Sequence, residues 1–242
     1  MKLKKIASLA LAGIMAVSML AGCSTTSVDP EPTPNPGDDE PTVSGYSQML
    51  YNHLSNAAKK KVTAQDSDAV NNALATAMEY AAGNTISSSY DDYIDGDTHV
   101  VNNGDWSNAP DSLKNGANVL INELAAENTL KDSVWMAFNI LDPDTTNYQR
   151  DNMNISMLFV ADGLKSKNAV MDEVAAWIDQ QIQWLEDDYD LPGDFWQDHP
   201  GSAGHSMNTD YEYTMSVAAD TITLTADHGK SMTFVAVNIA RV

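Results

Sequence analysis

The feature that most constrains the fold is a change in the spacing of apolar residues along the chain. From residue 44 to about residue 185, apolar residues mostly recur every three to four positions, which predicts amphipathic helices. In "YEYTMSV", "TITLTA" and "MTFVAVNIA" they alternate with polar residues, which predicts three strands with turns at Ala219–Asp220 and His228–Gly229. We therefore expect an α+β fold, a helical first two-thirds packed on a mainly antiparallel sheet, with an α-β-α sandwich as one arrangement.

Within the helical part, the spacing also predicts a buried strand and a long polar loop. The apolar run "NMNISMLFVADG" ends in Asp-Gly and is typical of a strand. The polar segment 83–110 predicts a loop with a short strand at 99–101, and loops of this length are often functional. The predicted helices are 44–61, 66–82, 111–128, 129–141 and 166–189.

The first residues are typical of a secretory signal peptide. Three lysines precede the apolar run "IASLALAGIMAVSML", which is too short for a membrane span. The run ends in "LAGC", which resembles a bacterial lipobox, and Cys23 is the only cysteine. This resemblance implies cleavage after residue 22 and lipidation of Cys23. The mature protein would then be extracytoplasmic and lipid-anchored to the bacterial cell membrane.

The residues after Cys23 divide into a tether and one globular domain. Residues 23–43 hold five of the nine prolines and little apolar area, which predicts an extended linker. Residues 44–242 have the length of a single α+β domain. The chain carries a net charge of −21, and loss of the three signal-peptide lysines leaves −24. Such an acidic surface repels nucleic acid, which we therefore exclude as a partner. The expected partners are the membrane, through the lipid, and an unknown extracellular ligand or protein.

Two groups of residues are weak candidates for metal binding. In "SYDDYIDGDTHVVN", Asp91 and Asp95 fall at EF-hand ligand positions, but Tyr93 and Asn102 stand where further ligands are needed. An irregular calcium site and a solvated acidic loop both remain open, and the loop is preferred. In "WQDHPGSAGHSMN", His199 and His205 with Asp198 could form a weak transition-metal site, but a structural zinc site needs four ligands. We predict no cofactor, with Ca²⁺ as the alternative.

No catalytic motif stands out, and aromatic residues are the better guide to a binding site. A Gly-x-Ser-x-Gly nucleophile elbow is absent from the sequence, and 34 acidic residues make carboxylate pairs uninformative. Trp106 and Trp196 lie in polar segments and are the predicted ligand-binding tryptophans, together with His205. Trp135 and Trp177 fall on apolar helix faces and are predicted to be core residues. Trp184 is predicted to be partly exposed.

The C-terminal half resembles the CAP superfamily, which includes the cysteine-rich secretory and pathogenesis-related proteins. The resemblance rests on the order of "VAAWIDQQI", a polar loop with the pair Gly204-His205, "YEYTMSVAA" and "TFVAVNIAR". It implies an α-β-α sandwich with a central cleft. His205 would supply one cleft histidine, and His99 could supply the second.

The sequence departs from the CAP pattern at its carboxylates. The family's Gly-Glu-Asn motif has its nearest counterpart at Gly116 to Asn118, where Ala117 replaces the glutamate. The family's helical glutamate would fall near Asp179 or Gln180. These departures imply a binding cleft in preference to a metal-dependent enzyme.

Three functions agree with these patterns. The preferred one is a cell-surface lipoprotein whose extracellular domain binds a ligand or partner without catalysis. The first alternative is a CAP-like extracellular hydrolase of cell-wall or other polymer, using His205 with His99 or a nearby acid as catalytic residues. The second alternative is a calcium-stabilised adhesion module.

Overall fold

The computed structural model describes residues 45–81, 93–94, 96–101, 108–142, 153–185, 188–190, 208–224 and 230–241. All of these residues belong to one compact unit, Pro41–Val242. The described part contains five α-helices, a mixed five-stranded sheet and a separate two-stranded pair, which confirms the α+β class. The helices are α1 Tyr46–His53, α2 Asp68–Ala81, α3 Asp111–Glu123, α4 Val134–Leu141 and α5 Lys167–Ile182.

Three long strands form the centre of the main sheet, and two short strands lie at its edges. The strands are β1 Thr63–Ala64, β2 His99–Val100, β3 Met153–Asp162, β4 Asp188–Asp190, β5 Asn208–Asp210, β6 Tyr213–Leu224 and β7 Lys230–Arg241. The order in the main sheet is β1-β6-β7-β3-β2, and β4 pairs with β5. All pairs are antiparallel except β1 with β6.

The central strands are buried on both faces. On β3, Met157 and Phe159 belong to a core that also contains residues of α1, α4 and α5. Leu158 and Val160 point to the opposite face, where a second core contains residues of α2 and α3. Burial on both faces explains why β3 has a nearly continuous apolar run where a half-buried strand would alternate. The described part is therefore an α-β-α sandwich.

Helices α2 and α3 approach each other closely because their contact residues are small. A Cβ on Gly116 would lie 2.7 Å from the Cβ of Ala81 and 2.9 Å from the backbone oxygen of Ala77. The next residue, Ala117, is also buried in this layer. Glycine at position 116 therefore serves helix packing here. Within the helix predicted at 66–82, the apolar stripe of α2 is buried: Val70, Ala73, Leu74, Ala77, Met78 and Ala81.

Several helices end earlier than predicted, and the end of the first one coincides with a tertiary contact. The first ends at His53, where both carboxylate oxygens of Asp179 accept the Ser55 N–H at 3.0 and 2.9 Å, and a 3₁₀ turn follows at Ala58–Lys60. Helix α3 ends at Glu123, and Ala125 takes a positive φ of 47°. Helix α5 ends at Ile182, so the prediction to residue 189 was too long.

The predicted three-stranded meander is wrong, because its first two strands are one. β6 runs without interruption through Ala219 and Asp220, each paired with a residue of β7. The Asp220 carboxylate accepts the N–H of Thr221 at 2.7 Å, so a typical turn residue is accommodated inside a strand. The turn predicted at His228–Gly229 lies outside the described residues.

The edge of β3 beyond β2 is covered by the segment that follows α3. The side-chain amide of Asn128 donates to the Ser156 carbonyl at 2.9 Å and accepts the Ser156 N–H at 2.9 Å. The Glu127 N–H donates to the Asn154 carbonyl at 2.9 Å. Buried Asn128 therefore replaces the backbone of a neighbouring strand.

Candidate functional site

Only one of the predicted site residues, His99, lies in the part of the chain that the structure describes. It occupies β2 opposite Val160, on the sheet face covered by α2 and α3. Its ring centroid lies 4.8 Å from that of Tyr93, at an interplanar angle of 35°. The predicted residues outside the described part are Cys23, Asp91, Asp95, Trp106, Trp196, His199 and His205.

A charged pair lies on the other face of the sheet, beside the residue that precedes His99. Lys165 Nζ lies 2.6 Å from both carboxylate oxygens of Glu173 on α5. Partial burial raises the pKa of the Glu173 carboxyl, but the bonded ammonium of Lys165 and the nearby Thr98 outweigh it, so the pKa lies below its ordinary value. The hydroxyl of Thr98 is buried, and no described residue makes a hydrogen bond of good geometry with it. The pair links the segment between β3 and α5 to the second turn of α5.

Replacing Glu173 with Gln should destabilise the fold in a pH-dependent way. The pKa of Glu173 is lower in the folded state than in the unfolded state. The stability that its ionised form adds to the fold is therefore complete above the unfolded pKa of about 4.3 and is lost as pH falls through the folded pKa. The melting temperatures of wild type and Glu173→Gln should therefore differ most near pH 7 and converge near pH 3. Lys165→Gln should show the same convergence, and the double variant should add little. Equal differences in melting temperature at both pH values would contradict a stabilising ion pair between Lys165 and Glu173.

The described positions implied by the CAP resemblance do not lie on one face of the sheet. Asp179 is on α5, where its carboxylate holds the Ser55 N–H. Ala117 and His99 belong to the opposite face, with α2 and α3. The sheet therefore separates Asp179 from His99.

His53 forms a polar clasp between α1 and α5. Its Nδ1 lies 3.2 Å from Asp172 Oδ1, and its Nε2 lies 3.0 Å from Asn168 Oδ1. The side chain of His53 is 19% exposed. Both ring nitrogens are engaged with α5, so the geometry indicates helix packing.

Two tryptophans are exposed on the helical layer formed by α1, α4 and α5. Trp135 is 58% exposed and Trp184 is 71% exposed. The prediction that Trp135 is a core residue is wrong, because α4 turns a different face inward: Val134, Ala137, Phe138 and Leu141. Trp184 follows α5, and its backbone N–H donates to the Gln181 carbonyl at 3.0 Å. Trp177 is partly buried and packs against the core, close to its prediction.

The structure reveals a buried cation that the sequence did not predict. The guanidinium carbon of Arg241 lies 4.4 Å from the ring centroid of Tyr211. Its Nη1 donates to the Leu141 carbonyl at 2.8 Å, and its Nη2 lies 3.1 Å from the sulfur of Met153. Arg241 therefore lies at the C-terminal end of α4, where a positive charge is favourable. A single arginine after an apolar strand carries no signal of this role in the sequence.

The described residues contain no cluster of three or more His, Cys, Asp or Glu side chains arranged to hold a metal ion. No helix in the same part of the chain is both long and apolar enough to cross a membrane. Comparison of the chain with family models, curated protein sequences and solved structures finds no match. Among the described residues, exposed Trp135 and Trp184 are therefore the candidates for binding.

Proposed function

We propose that this chain is a lipid-anchored surface protein whose domain binds a ligand or partner protein outside the cell without catalysing a reaction. The anchor and location rest on the signal peptide and Cys23. The observation that carries binding is the exposure of Trp135 and Trp184 on one helical layer. Trp106, Trp196 and His205 remain predicted members of the ligand site.

Exposed indoles support binding because water is an unfavourable environment for them. Burying a large apolar side chain contributes roughly 1.5–3 kcal/mol of favourable free energy. A ligand that covers the two exposed indoles would gain free energy of this kind. Tryptophan is also enriched among the residues that dominate binding energy. Helix α4, "VWMAFNIL", contains no charged residue, although the whole chain is strongly acidic. The uncharged sequence of α4 favours a neutral ligand at Trp135, such as a glycan that stacks on aromatic rings, whereas Trp184 precedes the acidic residues Glu186, Asp187 and Asp188.

Soluble cell-wall glycan fragments are the probe for this proposal. Tryptophan fluorescence of the mature protein should change saturably on titration, and reducing ends should not accumulate. Trp135→Ala and Trp184→Ala should each weaken binding about tenfold, equivalent to about 1.4 kcal/mol. Trp177→Phe, at a partly buried position, is the matched control and should leave the affinity unchanged.

Three results would contradict separate parts of the proposal. Glycan cleavage would favour the hydrolase alternative, which depends on His205. Unchanged affinity in both alanine variants, or no saturable binding, would exclude the exposed tryptophans as a glycan site. A Cys23→Ala protein that stays in the membrane fraction would contradict the lipid anchor.

A further inference from the structure

The outer edge of β6 is only partly covered. Strand β1 pairs with Thr214 and Met215 alone, and the Val217 N–H then donates to the side-chain oxygen of Ser47 at 2.9 Å. Beyond that point, from Ala219 to Thr223, no strand of the described part pairs with this edge. β6 continues there with β7 on its inner side only.

The hydrogen-bond pattern shows which backbone groups face outward. The Met215 carbonyl accepts from the Gln65 N–H at 2.9 Å, and the Val217 N–H also points to this edge. Because successive residues of a strand point their backbone groups to alternate sides, Ala219, Thr221 and Thr223 face outward too. Their neighbours at even positions form the ladder with β7.

The residues along this edge are partly or fully exposed, and one outward N–H is bonded by a side chain. Asp220 and Thr223 are exposed, and Ala219 and Thr221 are partly exposed. The Asp220 carboxylate accepts the outward N–H of Thr221 at 2.7 Å. The N–H groups of Ala219 and Thr223 have no such cover among the described residues. A row of this kind is a template for a further strand.

We propose that the β6 edge from Ala219 to Thr223 binds an extended, lysine-containing segment of a partner protein as an added strand. A polypeptide backbone is the ligand that complements alternating N–H and C=O groups. A partner carbonyl would replace the Asp220 carboxylate at the Thr221 N–H. Asp220 would then be released to pair with the partner's lysine.

Charge decides between a partner protein and a second copy of this chain. Each copy carries a net charge of −21 and brings its own Asp220 to the edge, so pairing two β6 edges would join like charges. A cationic segment meets the opposite sign instead. This edge site does not depend on the tryptophan surface proposed above.

A seven-residue synthetic peptide with the sequence Thr-Val-Thr-Lys-Thr-Val-Thr, blocked at both ends, is the probe. We expect saturable shifts in the amide NMR signals of Ala219, Thr221 and Thr223 of the mature full-length chain. Amide hydrogen exchange at Ala219 and Thr223 should slow about tenfold at saturation. Absence of saturable binding, or shifts confined to other residues, would overturn the proposal.

Thr223→Pro tests the backbone contact, because it removes an outward N–H without removing a bond to β7. It should weaken peptide binding about tenfold, whereas Thr223→Val keeps the N–H and should bind within twofold of wild type. If Thr223→Pro does not fold, Ala219→Pro removes the equivalent donor.

Asp220→Lys tests the charge. It should weaken binding of the lysine peptide and strengthen binding of the same peptide with glutamate in place of lysine. Unchanged affinities in the proline and lysine variants would overturn the site. Sedimentation would show a second copy as the occupant if the chain dimerises and Thr223→Pro abolishes the dimer.

Discussion

Asn128→Leu should lower the free energy of unfolding by roughly 3 kcal/mol, because two buried hydrogen bonds from this side chain to backbone groups are lost at once. The Asn128 amide both accepts the N–H of Ser156 and donates to its carbonyl. Leucine offers neither group, and each buried polar group deprived of its bond costs about 1–3 kcal/mol. For a domain of this size, the melting temperature should fall by roughly 6–12 °C.

The matched control is Asn118→Leu, the same chemical change on the exposed side of α3. It should alter the free energy of unfolding by less than about 0.5 kcal/mol. Hydrogen exchange gives a local check, because the Ser156 amide should lose protection in Asn128→Leu and keep it in the control. A protected Ser156 amide together with wild-type stability would show that the Asn128 bonds are dispensable.

Arg241→Met should also destabilise the domain by about 3 kcal/mol. The variant removes a bond to the last carbonyl of α4, at Leu141, and the cation–π contact with Tyr211. A desolvated cation–π contact contributes about 2 kcal/mol, and a cation at a partly buried helix C-terminus contributes up to about 2 kcal/mol. Relief from burying a charge offsets part of these losses. The Leu141 carbonyl keeps its bond from the Tyr213 hydroxyl at 3.4 Å, which limits the effect.

Arg241→Lys separates charge from geometry. Lysine keeps the positive charge but lacks the planar fork that reaches Leu141 and Met153 together, so we expect it to recover less than half of the loss. Urea denaturation of the three proteins measures the difference. Full recovery by lysine would mean that charge alone matters, and a more stable methionine variant would mean that desolvation dominates.

The sequence predicted those elements whose apolar pattern is complete in itself. The stripe on α2 and the run of β3 lie within one or two residues of their predicted bounds. Helix ends were less predictable, because partners distant in sequence determine them. The first helix stops where Asp179, more than a hundred residues away, binds the Ser55 backbone. Likewise, the pairing with β7 carries β6 through Asp220, a residue that favours turns in isolation.

The candidate site was less predictable than the fold. Trp135 lies one residue from Val134, and a difference of one position is a rotation of about 100° on a helix. In "VWMAFNIL" several faces are apolar, so the pattern does not select which one packs inward. The roles of His53 and Arg241 depend on neighbours from other elements, and no local motif encodes them. Of the predicted site residues, the structure places His99 at the β2 edge.

The strand order has a consequence for when this protein can fold. Among the described strands, β6 and β7 come last in the sequence, yet they lie between β1 and β3 in the sheet. Before they are made, the ten-residue β3 can pair with one other strand of the described part, the two-residue β2. The hydroxyl oxygen of Ser47 likewise accepts its hydrogen bond from the N–H of Val217, which lies 170 positions later in the chain. A chain cut before β6 should therefore fail to form the main sheet, because β1 and β3 are joined only through β6 and β7.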